Sequence, residues 1–254
     1  MPSSHPIALV TGGSRGLGRN AALHLAIKGV DVILTYRSQQ ADAVSIVEEI
    51  TAFGRKAVAL QLDVADSGSF AAFSSKVGDV LAEKFSCECF DYLVNNAGTG
   101  THASFMETTE AQFDNMVNVH LKSTFFLSQK LLPLMADGGR IINLSSGLAR
   151  FSLPGYAAYA SMKGAVEVLS RYMAKELGER RITVNVVAPG AIETDFGGGA
   201  VRDNAELNSA IASETALGRV GQPDDIGALI AAMLSFDCRW VNGQRIEASG
   251  GIFL

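Results

Sequence analysis

The sequence predicts an α/β protein with a doubly wound parallel sheet of about seven strands and helices on both faces. Two observations lead to this prediction. Short apolar runs alternate with longer helical patterns along all 254 residues. The first apolar run passes directly into glycines and then into a helix, as buried parallel strands of α/β proteins do. Because no linker, low-complexity tract or short repeat interrupts the pattern, we expect residues 1–254 to form one domain.

Each predicted strand is a short, mostly apolar run that ends near a glycine, a small residue or an amide. Valine and isoleucine, which favour the pleated backbone, are common in these runs. In chain order the strands are Ile7–Thr11, Asp31–Thr35, Ala57–Leu62, Tyr92–Val94, Arg140–Leu144, Ile182–Val187 and Gln244–Ala248.

Helical patterns fill the intervals between the strands. Gly29 and Gly54 mark the ends of the first two, and two aspartates in the first turn of the last helix suit its dipole. In chain order the helices are Arg19–Lys28, Ala41–Phe53, Ser67–Phe85, Thr109–Met135, Ala157–Leu177 and Pro223–Phe236. Three glycines open a stretch with few large apolar residues, so we interpret residues 195–215 as a mobile substrate lid.

The overall composition excludes several classes of function. A net charge of −5 and the lack of a basic run argue against nucleic acid or a membrane surface as the partner. No apolar run approaches the roughly 18 residues of a membrane span, and residues 1–6 lack the apolar core of a signal peptide. Three cysteines indicate a reducing cytoplasm, and Cys87 and Cys89 do not have the spacing of a metal site. We expect a cytoplasmic protein without bound metal.

Thr11 to Gly18 reads T-G-G-S-R-G-L-G and lies between the first strand and the first helix. This arrangement directs backbone N–H groups and the positive end of a helix dipole at a phosphate. Glycines at positions 12, 16 and 18 remove the Cβ atoms that would block a pyrophosphate. The spacing differs from the common G-x-G-x-x-G, and a glycine turn alone can be only a tight loop. Its position nevertheless favours a dinucleotide-binding turn.

The end of the second strand indicates which dinucleotide is bound. NAD-binding units usually carry an acidic residue there, which bonds the ribose 2′-hydroxyl. Here the strand ends in Tyr36-Arg37-Ser38, and Asp31 lies at its other end. Arg37 and Arg15 could instead hold a 2′-phosphate, although either could also be an ordinary solvated arginine. We therefore predict NADP(H) in preference to NAD(H).

Tyr159 and Lys163 are four residues apart in a helical pattern, so their side chains lie on one face. A cation about 4 Å from the phenol could lower the pKa of a tyrosine from near 10 to about 7. Such a tyrosine would exchange protons efficiently at neutral pH. Taken alone, the pair could equally lie on an ordinary surface helix.

The ordered set of motifs resembles the short-chain dehydrogenase/reductase family in its single-domain, Rossmann-type form, and the resemblance covers essentially the whole chain. It is closest to 3-oxoacyl-carrier-protein reductases and neighbouring carbonyl reductases. The motifs are T-G-x-x-x-G-x-G at Thr11–Gly18, N-N-A-G at Asn95–Gly98, Asn118, Ser146, Y-x-x-x-K at Tyr159–Lys163, Pro189-Gly190 and a closing S-G-G. Members of this family commonly form homotetramers. The apolar residues Ile252-Phe253-Leu254 would suit burial against a neighbouring subunit, or they could equally fold back on their own subunit.

The resemblance implies hydride transfer between NADPH and a carbonyl or secondary alcohol. Tyr159 would donate or accept the proton, and Lys163 would lower its pKa and hold the nicotinamide ribose. Ser146 would bond the substrate oxygen, and Asn118 would hold a water that links Lys163 to solvent. His120 is interpreted as a polar packing residue.

Two nearby residues compete with these assignments. Ser146 precedes Tyr159 by thirteen residues, the usual separation in the family, which favours it over Ser145. Tyr156 is followed four residues later by Ala160, so it has no lysine one turn away. We interpret Tyr156 as a residue of the substrate pocket.

The resemblance also assigns the cofactor contacts. The turn would hold the pyrophosphate, the end of the third strand the adenine, and the loop after the sixth strand the carboxamide. The complete set is Gly12, Ser14, Arg15, Gly16, Leu17, Gly18, Tyr36, Arg37, Ser38, Asp63, Val64, Asn95, Ala97, Gly98, Tyr159, Lys163, Pro189, Gly190, Ile192 and Thr194.

The substrate pocket would lie between residues 147–155 and the lid. Its predicted lining is mainly apolar and consists of Leu148, Phe151, Leu153, Tyr156 and Phe196. This suits a small hydrophobic ketone or an acyl thioester. An acyl-carrier protein would need a basic rim, for which only Arg150 and Arg202 are candidates.

Three alternative functions follow from the same residues. An NAD-dependent alcohol dehydrogenase would be expected to carry an acid after the second strand. A non-catalytic cofactor-binding protein would be expected to lack the tyrosine or the lysine. An enoyl reductase would be expected to space these two residues more widely.

Overall fold

The computed structural model describes residues 5–254 and contains a seven-stranded sheet in the order β3-β2-β1-β4-β5-β6-β7. All six strand pairs are parallel, which confirms the predicted fold class. The strands are β1 (Ile7–Val10), β2 (Asp31–Tyr36), β3 (Ala57–Gln61), β4 (Phe90–Asn95), β5 (Met135–Leu144), β6 (Thr183–Pro189) and β7 (Arg245–Ala248).

Helices connect the strands and cover both faces of the sheet. The α-helices are α1 (Gly16–Ile27), α2 (Gln40–Ala52), α3 (Phe70–Val80), α4 (Glu110–Met116), α5 (Ser123–Leu131), α6 (Ala157–Glu176), α7 (Ala200–Asp203), α8 (Ala205–Ser213) and α9 (Pro223–Met233). The six predicted helices are present, with ends that differ by a few residues.

The hydrophobic core has two parts, one on each face of the sheet, because successive side chains of each strand point to opposite faces. In β1, Ala8 and Val10 pack with helices α1, α2 and α9, whereas Ile7 and Leu9 pack with α3, α5 and α6. Successive side chains of a strand point to opposite faces, so a strand buried on both sides must be apolar throughout. This explains why the parallel strands appear in the sequence as continuous apolar runs.

The direction in which the chain adds strands reverses between β1 and β4. From β1 the chain adds β2 and β3 on one side, and it then returns to add β4 on the other side of β1. In open α/β sheets the ligand crevice lies beyond the carboxyl ends of the strands at such a reversal. The glycine turn after β1 and Asn95–Gly98 after β4 therefore meet at one edge of the sheet.

One predicted helix differs from the structure. The predicted helix 109–135 is α4 and α5 joined by a π-helical segment, Val117–Lys122, and a 3₁₀ turn, Leu132–Leu134, ends it at Pro133. Met135 already belongs to β5, because it pairs with Phe90 of β4. The predicted lid, residues 195–215, contains α7 and α8, and its motion stays a prediction.

Two searches of residues 5–254 bear on membranes and metals. None of the described helices is long and apolar enough to cross a bilayer. In the same part of the chain, no group of three or more His, Cys, Asp or Glu side chains could hold a metal ion. Cys87, Cys89 and Cys238 are free thiols.

Candidate active site

The glycine turn after β1 has a backbone that only glycine adopts easily. Gly12 and Gly16 have φ angles of +65° and +56°, in the left-handed region. Gly18 is needed for a different reason, because a Cβ there would lie 2.2 Å from the carbonyl oxygen of Gly12. The turn and the first turn of α1 are therefore packed backbone to backbone.

Hydrogen bonds from two neighbouring strands hold this turn in place. Thr11 Oγ1 accepts from the backbone N–H groups of Asn96 and Ala97, at 2.9 and 3.0 Å. The side-chain amide of Asn96 donates to the carbonyls of Thr11 and Gly12. The Gly12 N–H donates to Thr35 Oγ1 at 3.0 Å. Sequence reasoning placed Asn96 within a motif but missed this role, because the contact joins strands far apart in the chain.

The start of α1 is free to bind an anion. Arg15 is the N-cap, it makes no side-chain cap, and the first turn contains no acidic residue. Arg15 and Arg37 are exposed and form no ion pair within residues 5–254. Free helix N–H groups, a positive dipole end and two unpaired guanidinium groups fit the phosphates of a dinucleotide.

Two hollows lie near predicted cofactor residues. One of about 430 Å³ is lined in part by Arg37, Leu62 and Asp63, at the ends of β2 and β3, where the adenine contacts were predicted. The other, of about 410 Å³, is lined in part by Gly16 of the turn and by Thr194.

The loop after β6 carries three predicted cofactor residues, Gly190, Ile192 and Thr194. A Cβ on Gly190 would lie 2.8 Å from Ser249 Cα, so this loop packs closely against the C-terminal segment. Ile192 is buried in the core and Thr194 faces Gly16. Residues Asn95–Gly98 were predicted to support the adenosine ribose and the sheet. The side chain of Asn95 points into the sheet, where it donates to Ser128 and Asn143. This amide therefore supports the sheet, and the support of the ribose stays a prediction.

Helix α6 places Tyr159 and Lys163 on one buried face, each 6% exposed. Lys163 Nζ lies 5.5 Å from the centroid of the Tyr159 ring and donates to the Leu144 carbonyl at 2.7 Å. Leu144 is the last residue of β5, so this bond ties the reactive face of α6 to the carboxyl end of the sheet.

The electrostatics of this pair differ from the sequence prediction. Burial raises the pKa of Tyr159 above its ordinary value, the hydrogen-bonding effect of Ser146 opposes the rise, and Tyr156 adds to it. Burial also lowers the pKa of Lys163, to about 8. The predicted lowering of the pKa of Tyr159 by Lys163 is wrong here, because the ammonium is directed at the Leu144 carbonyl and burial outweighs the remaining interactions.

The two serines at the end of β5 have different partners. Ser146 accepts a hydrogen bond from the Leu148 N–H at 3.2 Å. Its own hydrogen bond with Tyr159 lowers the pKa of the phenol, against the effect of burial. Ser145 is buried and donates to Glu167 at 2.6 Å. The structure therefore brings Ser146, and not Ser145, to the phenol.

The long helix brings His120 to the phenol. Asn118 lies in the π-helical segment and is half-buried, and its side chain makes no hydrogen bond to another residue in 5–254. Its predicted role, holding a water that links Lys163 to solvent, stays a prediction. His120 is 2% exposed and its ring meets that of Tyr159 edge to face, with centroids 5.1 Å apart. The predicted packing role of His120 understates this position. The π-helical segment changes which residues face α6, so helical periodicity could not identify His120.

Several aromatic side chains lie in contact around the predicted substrate pocket. Phe196 lies 5.6 Å from Tyr159, and Tyr156 lies 5.1 Å from His102, between ring centroids. Leu148 packs beside Tyr159. Phe151 is not part of the cleft as predicted, because its ring packs on Phe253 at 4.9 Å.

The last predicted lining residue, Leu153, is 42% exposed and belongs to none of the described hydrophobic clusters. His102 was not predicted at all. A Cβ at Gly155 would lie 2.3 Å from His102 Nε2, so this glycine admits the imidazole. The Ala103 N–H donates to the Gly155 carbonyl, which joins the segment after β4 to residues 147–155.

Comparison with known proteins agrees with this geometry. A family model described as enoyl-(acyl carrier protein) reductase matches residues 12–252. The chain belongs to the short-chain dehydrogenase/reductase family. Its resemblance to that family, stated from sequence motifs, is thereby confirmed, and the parallel sheet is the one that the solved family members share.

Similar members of the family are ketoreductases by their names. The chain is 35% identical to a hydroxynaphthalene reductase-like protein of Metarhizium brunneum, over 96% of this chain and 94% of the other. It is 38% identical to the reductase LugOII, which catalyses keto-reduction in lugdunomycin biosynthesis, with a TM-score of 0.92 and 98% of each chain covered. It is 36% identical to the angucycline C-6 ketoreductase LanV, solved with bound NADP, with a TM-score of 0.92 and 98% and 95% coverage.

Replacing Gly18 by alanine tests the turn. Because the new Cβ would lie 2.2 Å from the Gly12 carbonyl, we expect Gly18→Ala to lower the free energy of unfolding by about 1–3 kcal/mol. NADPH affinity should fall at least about tenfold as the turn shifts. Gly164→Ala in α6 is the control, since a Cβ there meets nothing within 4 Å. Equal stability and NADPH affinity in both variants would contradict this account.

The buried Lys163 predicts how stability changes with pH. Its pKa is about 8 in the folded chain and near 10.4 in an unfolded one, so between these values the unfolded state binds more protons. Stability therefore rises with pH in this range, by up to about 3 kcal/mol from this group. In urea unfolding at pH 7, 8.5 and 10, the free energy of unfolding of the wild type should rise with pH relative to that of Lys163→Met. Parallel pH curves for the two proteins would refute the lowered pKa.

Proposed function

We propose that this protein is an NADPH-dependent ketoreductase that acts on polycyclic aromatic ketones, with Tyr159 as the proton donor. The observation that carries the proposal is a buried phenol, flanked by Ser146 and Lys163, in a cleft with aromatic walls. The cleft lies at the edge of the sheet where the glycine turn fits a dinucleotide.

Tyr159 is protonated at neutral pH, which suits it to donate a proton in the reductive direction. A phenol whose pKa is above its ordinary value keeps its proton at neutral pH and can donate it to an oxygen that becomes an alkoxide. Ser146 places a second hydroxyl beside the phenol, where it can donate to the same oxygen as negative charge develops. Bound NADPH would supply the hydride.

The residues that would hold the phosphates of NADPH follow the ends of β1 and β2. The turn at Gly12–Gly18 offers N–H groups to the pyrophosphate, and Arg15 and Arg37 offer cations to a 2′-phosphate. The absence of a carboxylate after β2 removes the usual partner of an unphosphorylated ribose. The NADP bound to the similar LanV supports this part of the proposal.

The shape and charge of the cleft support an aromatic substrate over a carrier-bound acyl chain. The rings of Tyr156 and Phe196 offer surfaces on which a flat ring system can pack. Arg150 is held by Glu247 and Arg202 by Asp195 and Asp203, so neither presents a free cation to an acidic carrier protein. The names of the similar proteins, a hydroxynaphthalene reductase-like protein and an angucycline ketoreductase, also point to fused aromatic rings.

A substrate panel tests the proposal. NADPH absorbance is followed with a bicyclic aromatic ketone such as a tetralone, with acetoacetyl thioester and with crotonyl thioester. We expect kcat/KM to be at least about tenfold higher for the aromatic ketone than for the 3-oxoacyl thioester, because only the former packs on both rings. Preference for acetoacetyl thioester would support a 3-oxoacyl thioester reductase. Preference for crotonyl thioester would support an enoyl reductase, and no turnover with any substrate would favour a non-catalytic cofactor-binding protein.

Replacing Tyr159 by phenylalanine isolates the proton donor. Because the ring remains and only the hydroxyl is lost, NADPH affinity should change less than about twofold while kcat falls at least about 100-fold. Tyr172→Phe, on the exposed side of the same helix, is the control and should retain wild-type kcat. Substantial turnover by Tyr159→Phe would remove Tyr159 as the donor.

The choice between NADPH and NADH is tested at the end of β2. The double variant Tyr36→Asp/Arg37→Ser supplies the missing carboxylate and removes one cation, so the kcat/KM ratio of NADPH to NADH should fall at least about tenfold. Arg171→Ser removes one cation from the surface of α6, as Arg37→Ser does at β2, and should leave the ratio unchanged. A wild-type enzyme that prefers NADH would instead favour the NAD-dependent alcohol dehydrogenase.

A further inference from the structure

The imidazole of His120 occupies a buried position between α6 and the segment after β4. Its Nε2 lies 2.7 Å from the carbonyl oxygen of Thr99, and its ring stands at 87° to that of Tyr159. A carbonyl accepts but cannot donate, so Nε2 must carry the hydrogen of this bond. The neutral ring is therefore the tautomer protonated at Nε2, and its Nδ1 is an acceptor.

This Nδ1 has no hydrogen-bond partner in the described part of the chain, although it is buried. It lies beside Gly98, where an added Cβ would come within 2.9 Å of His120 Cε1 and 3.4 Å of Nδ1. Gly98 thus leaves room for the ring.

The surroundings keep the imidazole neutral. The charged or titratable groups that face it are Lys163 and Tyr159, and both act from α6. Burial and then the like charge of Lys163 lower the pKa of His120 to about 3, against the opposing effect of its bond to Thr99. A proton at Nδ1 would place two cations on either side of the phenol.

We infer that His120 is a positioning residue for the proton donor, Tyr159. The contact between the two rings fixes Tyr159, and the Nε2–H of His120 fixes the cleft wall after β4, which is the segment at Thr99 and Gly100. The inference rests on the proposed function. The wall is connected through Thr99 to Gly100, which packs on Phe196: a Cβ at Gly100 would lie 3.0 Å from that ring. One imidazole therefore sets the position of the phenol and of the aromatic surface opposite it.

Two substitutions separate these contacts. His120→Phe keeps a ring edge against Tyr159 but loses the bond to Thr99, so we expect KM for the ketone to rise at least about fivefold with kcat within about threefold. His120→Gln keeps a donor but loses the ring, so kcat should fall at least about tenfold with a smaller change in KM. Val119→Ala, at the preceding buried residue, controls for lost packing in the same segment.

One result of these kinetic measurements would contradict the inference. If both His120 variants change kcat and KM by the same factors as Val119→Ala, His120 has only a structural role and the inference is overturned. Thermal unfolding of each variant identifies one that fails to fold, and the remaining His120 variant then decides the question. A wild-type protein that reduces no ketone would refute the proposed function and would leave the next test intact.

The tautomer can be observed without substrate or cofactor. The protein contains four histidines, and the ring nitrogens of His120 can be assigned in NMR spectra by their loss in His120→Gln. We expect a neutral ring protonated at Nε2 that does not titrate between pH 8 and 5. A ring that titrates near pH 6.5, or one protonated at Nδ1, would overturn the inference even in a folded, active enzyme.

Discussion

The hydroxyl of Thr11 joins the two strands on which the site depends. It accepts from the N–H groups of Asn96 and Ala97 and donates to the carbonyl of Val94, so the ends of β1 and β4 cannot separate. The sheet reverses its strand order between these strands, and backbone polar groups at such an end would otherwise lack partners. One small side chain satisfies them and fixes the glycine turn at the same time.

A second layer of polar contacts lies below the site, inside the sheet. Asn95 donates to Asn143, and Asn143 donates to Ser170 of α6, at 2.8 Å in each case. These buried amides are satisfied by one another, so they stabilise one arrangement of β4, β5 and α6 without leaving unpaired groups. Because Tyr159 and Lys163 belong to the same helix, this chain of bonds also sets their height above the sheet.

The sequence was sufficient for the fold and for the residues that act through local geometry. Parallel strands buried on both faces produce continuous apolar runs, and four-residue spacing placed Tyr159 and Lys163 together. The sequence was insufficient where the position or the pKa of a side chain depends on burial or on a contact with a distant segment. The bond from Lys163 to Leu144, the partner of Phe151 at Phe253, and the inward amide of Asn95 each depend on a segment distant in the chain. The pKa of Tyr159 could not be predicted because spacing shows the nearby cation but not the loss of water.

The π-helical segment at Val117–Lys122 has a consequence for comparisons among relatives. Relative to an α-helix, a wider turn of this kind accommodates an additional residue without lengthening the helix by a full turn. In a relative with a regular α-helix here, the residues on the same helix face would be separated from the neighbouring sequence motifs by a different number of residues. Matching residues by distance along the chain then pairs the wrong side chains across this segment, whereas superposition of α6 pairs those that share an environment.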